Sequence, residues 1–131
     1  MKYLDANVFI NAALPRKNRS KYIRIIQQAI SGEEIFATSV LTIDEVTYVI
    51  RKEIGFDYSL RIAKNILTMK NLILLEVDEG TITLSLNLMG KYILNPRDAI
   101  HAACCMQNNI KIIVSDDADF DKVREIKREK P

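Results

Sequence analysis

The chain has 131 residues, 48% of them hydrophobic and 27% charged, the balance of one ordinary globular domain rather than of a disordered or fibrous protein. No apolar run approaches the ~20 residues needed to span a bilayer, and Asp5 interrupts the first apolar stretch before it can act as a signal-peptide core, so a cytoplasmic protein is expected. A net charge of +2, from 19 basic and 17 acidic residues, neither requires nor excludes a nucleic-acid partner.

Tyr3-Leu4 reads as a short strand running into Asp5, and Asn7 to Leu14 as a short helix closed by Pro15. Tyr22, Ile23, Ile26, Ala29 and Ile30 recur at helical spacing until Ser31-Gly32 ends the pattern. Ile35 to Thr38 suits a buried strand. Thr42-x-x-Glu45 then offers a capping box for a helix that ends near Gly55. An amphipathic stretch from Tyr58 to Met69 precedes the strand-like Leu72 to Val77, and a helix is expected from about Glu79 to Tyr92. Pro96 is placed as the first residue of a helix through Gln107, where a proline loses no needed donor. Ile110 to Val114 is the clearest strand, and it empties into the acidic loop Ser115-Asp116-Asp117-Ala118-Asp119-Phe120. Short apolar strands alternating with helices predict a single α/β domain over residues 1–131, a three-layer α/β/α sandwich around a largely parallel sheet.

The two cysteines, Cys104 and Cys105, are adjacent inside a predicted helix, a poor arrangement for a structural disulfide and too few for a zinc cage; they read as reduced core residues. Basic residues gather at Arg16, Lys17, Arg19, Lys21 and Arg24, and again at Lys122, Arg124, Lys127, Arg128 and Lys130. These are either a solvated helix face and a frayed tail or, if an acidic site lies near, a phosphate-contacting rim.

In open α/β sheets, functional groups collect beyond the carboxyl ends of the strands. Asp5 falls there, as does Asp117 with Asp116 and Asp119 beside it. Glu45 and Asp98 sit near the starts of predicted helices, where an acid can be a dipole or capping partner and nothing more. Taken together the four imply a site, because carboxylates within ~4 Å repel by roughly 4 kcal/mol per pair at an effective dielectric of 20. Hard divalent cations are the usual counter-charge for acids without histidine or thiolate company, and Mg²⁺ or Mn²⁺ fits best. With His101 the sole histidine, zinc is disfavoured. Carboxylates holding such an ion suit phosphodiester hydrolysis. Asn7 and Ser115 are candidates to orient a carboxylate or a water, with a helix cap and a turn as their plainer roles. Asp44 is expected to be solvated, and His101 to be a satisfied helix residue.

The segments Tyr3-Leu4-Asp5-Ala6-Asn7-Val8-Phe9-Ile10, the helical Glu45, Pro96-Arg97-Asp98-Ala99-Ile100-His101-Ala102-Ala103 and Ser115-x-Asp117-x-Asp119-Phe120 together resemble the PIN-domain family, in particular the small VapC-like toxins of toxin–antitoxin modules. The resemblance covers nearly the whole chain. It implies a Mg²⁺- or Mn²⁺-dependent ribonuclease, a homodimer, and a cognate antitoxin partner. It places Asp5, Glu45, Asp98 and Asp117 as the catalytic, metal-holding acids, Asn7 and Ser115 as small polar positions, and Asp119 as an accessory acid. The family more often carries threonine at the position of Ser115, and Asp116 adds a carboxylate, so the loop acids rank Asp117, then Asp119, then Asp116.

Other classes fit the residues less well. A housekeeping RNA-processing nuclease would share the site but lack an antitoxin. A phospho-acceptor receiver would want a lysine at the end of a late strand, where Val114 leads instead to Ser115 and more acid. A dehalogenase-like phosphotransferase would want a second acid where Asn7 stands.

Overall fold

A computed structural model describes residues 1–131. In chain order it contains β1 (Lys2–Leu4), α1 (Ala6–Ala13), α2 (Arg19–Ser31), β2 (Phe36–Ser39), α3 (Val40–Glu53), α4 (Phe56–Leu67), β3 (Leu72–Leu75), α5 (Glu79–Tyr92), α6 (Pro96–Gln107), β4 (Ile112–Val114), a 3-10 turn (Ala118–Lys122) and β5 (Lys127–Glu129). The five strands form one parallel sheet in the order β3-β2-β1-β4-β5.

Period-two alternation sorts the strand residues between two cores. Tyr3, Ala37 and Ile113 face one side, where they pack with Leu88, Ala102 and Phe120 from α5, α6 and the 3-10 turn. Leu4, Phe36 and Val114 face the other, against Phe9, Tyr22, Ile50 and Ile66 from α1 to α4. The result is the expected α/β/α sandwich. Each fully buried side chain of this kind contributes roughly 2–3 kcal/mol of apolar transfer.

Strand order reverses direction between β1 and β4, which lie side by side with Tyr3 opposite Ile113 and Leu4 opposite Val114. Such a switch point opens a crevice beyond the carboxyl ends of the two strands. Asp5 and Ser115 stand immediately past those ends, so the topology alone brings the first motif of the chain onto the last.

Two sequence expectations are corrected. The capping box at Thr42 and Glu45 does not form. Ser39 is the N-cap of α3, the Thr42 hydroxyl is 2.6 Å from that of Thr38, and Glu45 moves into the second helical turn. A capping box is found instead at Asp78 and Thr81, opening α5. The basic C-terminal stretch is not a frayed tail in its entirety: Lys127 to Glu129 pair with β4 as an edge strand. Its charged sequence carries no strand periodicity, and it is held by the ladder and by the buried Val123 and Ile126 just before it. Finally, Ile93 closes α5 with φ of 55°, a left-handed conformation unfavourable for a β-branched residue.

Candidate active site

Asp5 is the N-cap of α1 and is 6% exposed. Its Oδ1 accepts from the Ala6 backbone N–H at 2.7 Å, and its Oδ2 accepts from the Ser115 hydroxyl at 2.6 Å and from Asn7 Nδ2 at 2.9 Å. Asn7 Nδ2 also donates to Ser115 Oγ at 3.0 Å, which accepts in turn from the Asp117 backbone N–H at 3.0 Å. Asp5 therefore supplies the cap, and Asn7 ties the two strand ends together instead of capping its helix. The remaining Asn7 oxygen, Oδ1, is buried without a protein partner, an acceptor suited to water or a cation.

Asp98 lies in the first turn of α6, with Pro96 at the helix start as expected. Asp117 caps the 3-10 turn by accepting from the Asp119 N–H at 2.9 Å. Carboxylate oxygens of Asp98, Asp117 and Asp119 lie within 4.8 Å of one another. Burial, followed by the charges of Asp117 and Asp5, pushes the Asp98 carboxyl up to about 7. Asp5 is also raised, by burial first and by the Glu45 charge, against the lowering influence of His101 and Ser115.

Glu45 projects from α3 onto His101, its Oε1 2.6 Å from the ring Nε2, and the same nitrogen is 3.6 Å from Asp5 Oδ1. His101 is fully buried. Burial opposes its protonation, but the hydrogen bond to Glu45 and the charges of Asp5, Glu45 and Asp98 outweigh that and raise its pKa. Sequence reasoning had read His101 as a satisfied helix residue. It is satisfied, yet its partner is one of the acids in question. The signal was the three-residue spacing from Asp98, which puts both on one helix face. Tyr3, whose hydroxyl is 2.6 Å from His101 Nδ1, was missed as well; alternation along β1 puts it on the same side as Asp5.

Asp116 faces elsewhere. It accepts a short hydrogen bond from the Tyr22 hydroxyl and lies 3.7 Å from Lys21. Asp44 is exposed, as expected, with only a distant pairing to Arg97 at 3.9 Å. Cys104 and Cys105 are free and buried, also as expected.

The Asp98–Asp117–Asp119 cluster fits a hard divalent cation by its donor set, which is all oxygen. Two full charges at about 5 Å repel by roughly 3 kcal/mol at an effective dielectric of 20. No lysine or arginine pairs with Asp98 or Asp117, while Asp119 has only the half-exposed Lys122 at 3.2 Å. Burial and the neighbouring charges favour a proton on Asp98 in the absence of a cation. Asp5 and Glu45 border the cluster on the His101 side.

A profile of the PIN domain matches residues 2–126. No curated protein sequence matches the chain. Among solved structures, VapC20 of Mycobacterium tuberculosis, described as a sarcin-ricin loop cleaving toxin, superposes with a TM-score of 0.82 at 12% identity over 95% of each chain. A chain of VapBC2 from Rickettsia felis, solved bound to a DNA fragment from their promoter, gives 0.76 at 15% identity over 99% of this chain and 98% of that one. DNA-bound VapBC from Salmonella typhimurium gives 0.75 at 18% identity over 98% and 96%. At these identities the structural likeness speaks for the fold.

Proposed function

This chain belongs to the PIN domain family, and on that basis we propose that it is a metal-dependent endoribonuclease, the toxin of a toxin–antitoxin pair. The observation that carries the proposal is the meeting of Asp98 with Asp117 and Asp119, whose burial and mutual charge raise the Asp98 carboxyl to about 7, with Asp5 and Glu45 both reached by His101 from the same helix. A cluster under that electrostatic load suits a cation better than it suits a purely structural role.

In this reading Asp98 and Asp117, with Asp119, hold Mg²⁺ or Mn²⁺, and Asp5 and Glu45 complete the acidic pocket. Bound there, the ion supplies Lewis acidity toward a phosphodiester and makes hydroxide accessible near neutral pH. Ser115 and Asn7 keep Asp5 in one rotamer, so that its ordering is complete before substrate arrives. Lys122, 3.2 Å from Asp119, puts positive charge on the border of the pocket, where an RNA backbone would be drawn in. RNA is the substrate, an antitoxin protein the partner that silences it, and a homodimer the working unit.

The deciding experiment is cleavage of single-stranded and hairpin RNA by purified protein with Mn²⁺ or Mg²⁺, with EDTA, and with Asp5→Asn in parallel. Cleavage by the wild type alone, abolished by EDTA, supports the proposal; equal cleavage by wild type and Asp5→Asn removes it. A short neighbouring reading frame for a DNA-binding protein separates the toxin from a housekeeping nuclease with the same site.

A further inference from the structure

We propose that His101 is a positioning residue that holds the Glu45 carboxylate in place at the acidic pocket, and that Tyr3 and the Ser39 backbone N–H lock its ring in the one orientation that does so. The functional consequence rests on the nuclease reading, whereas the hydrogen-bond chain stands on geometry alone.

The chain of bonds has one direction. The Ser39 N–H, at the start of α3, donates to the Tyr3 hydroxyl oxygen at 3.1 Å. Tyr3 is fully buried, and burial holds its phenol pKa well above the ordinary value, so the hydroxyl keeps its proton and needs an acceptor. The acceptor within reach is His101 Nδ1, at 2.6 Å. A nitrogen that accepts carries no hydrogen, which assigns the ring proton to Nε2. Nε2 faces Glu45 Oε1 at 2.6 Å, an oxygen that can only accept. A proton on Nδ1 would strand the buried Tyr3 donor, so the hydroxyl selects the Nε2–H form.

Glu45 is the member of the acidic set that most needs such help. Asp5 is held by three donors and Asp117 by its cap to the 3-10 turn. Glu45 has a longer side chain, stands next to the exposed Asp44 on α3, and is hydrogen-bonded by His101 alone. Ordering a free glutamate costs rotamer entropy. His101 bears that cost in advance, and its Nε2–H, 3.6 Å from Asp5 Oδ1, also screens Glu45 from Asp5. A histidine placed merely to be satisfied would need no particular partner.

The sole histidine makes the test direct. In metal-free protein labelled with ¹⁵N-histidine, the imidazole is expected to show a proton on Nε2 and a bare Nδ1, with the Nε2 proton far downfield; Glu45→Gln should shift that resonance upfield. A proton on Nδ1 with a bare Nε2, or a resonance indifferent to Glu45→Gln, overturns the proposal. Calorimetry with Mn²⁺ alone then separates positioning from packing. His101→Leu should weaken binding by about 10-fold or more, and His101→Gln, which keeps a donor toward Glu45, by clearly less. Thermal stability should not follow that order, because leucine suits the buried site at least as well as glutamine. Equal Mn²⁺ affinity in the two variants overturns the proposal. Tyr3→Phe, which preserves the ring and its packing, should lower kcat with KM unchanged. Absence of RNA cleavage by the wild type would instead sink the nuclease reading, and the imidazole spectrum would still judge the role of His101.

Discussion

The Ser115 hydroxyl donates to Asp5 Oδ2 at 2.6 Å across 110 positions of sequence, and Ser115 Oγ accepts from Asn7 and from the Asp117 backbone N–H in the same place. One small oxygen thus joins the two strand ends that build the pocket. Asp5→Asn keeps the size and cap geometry of the side chain but removes the charge. It is expected to lower RNA cleavage by about two to three orders of magnitude, with a circular-dichroism spectrum like that of the wild type. Unchanged cleavage would remove the nuclease proposal and leave Asp5 as a helix cap only.

Asp98 sets the pH behaviour of the metal-free protein. Its carboxyl is raised from 3.8 to about 7 in the fold, so between those values the folded state binds more protons than the unfolded state. Stability from this group therefore falls as pH rises through that window, and the loss is complete above it. Asp98→Asn should stabilise the apo protein at ~pH 8 by about 1 kcal/mol, discounted because the group is only half buried, which is about 4 °C in Tm. At ~pH 5 the gain should be much smaller. A gain equal at both pH values would rule out the electrostatic explanation.

Saturating Mn²⁺ should do the same work by a different route. At 100 times its Kd it stabilises by about 2.7 kcal/mol. Because Asp98 must lose its proton to bind, the rise in Tm should be larger at ~pH 8 than at ~pH 5. Melting curves with and without EDTA at the two pH values check this, and an equal rise at both would argue against Asp98 as a ligand.

Phe120 anchors the acidic turn. It is fully buried in the core shared with α5 and α6, between Asp119 and Asp121 in sequence. Phe120→Ala should cost about 3–5 kcal/mol by chemical denaturation. It should also weaken Mn²⁺ binding more than Ile50→Ala, a buried substitution in the opposite core. If both variants lose affinity alike, the turn is not what Phe120 holds.

The cysteines offer a simple control on packing. Burial pushes the Cys104 thiol up to about 11 and Cys105 higher still. At ~pH 8 both are thiols, and neither is reachable from solvent. Neither should react with a disulfide reagent in the folded protein, and both should react once it is denatured. Rapid reaction under native conditions would contradict the placement of α6.

Much of this fold was legible because β1, β4 and the helices carry apolar residues at strand or helical spacing, and Pro96 marks the start of α6 without ambiguity. β5 was not legible. Lys127-Arg128-Glu129 has no apolar alternation, and its strand state comes from pairing with β4 and from Arg128, which reaches the Ser115 carbonyl at 3.1 Å and Asp121 at 2.9 Å. The start of α3 differs because the helix begins directly after β2 at Val40, which puts Thr42 inside its first turn with its hydroxyl 2.6 Å from that of Thr38, four residues back. At the site, the places of Asp5 and Asp117 past strand ends and of Asp98 in the first turn of α6 were legible from the pattern of strands and helices. Distances between segments are invisible in sequence, which is why the roles of Tyr3 and His101 emerged only from the fold.

The sandwiching of β1 between β2 and β4 has a bearing on synthesis. As the polypeptide leaves the ribosome, Asp5 and Glu45 emerge well before Asp98, Ser115 and the acidic turn, so the pocket stays unassembled until those later segments have been made. A chain stopped before β4 therefore carries Asp5 without the Ser115 hydroxyl that orders it.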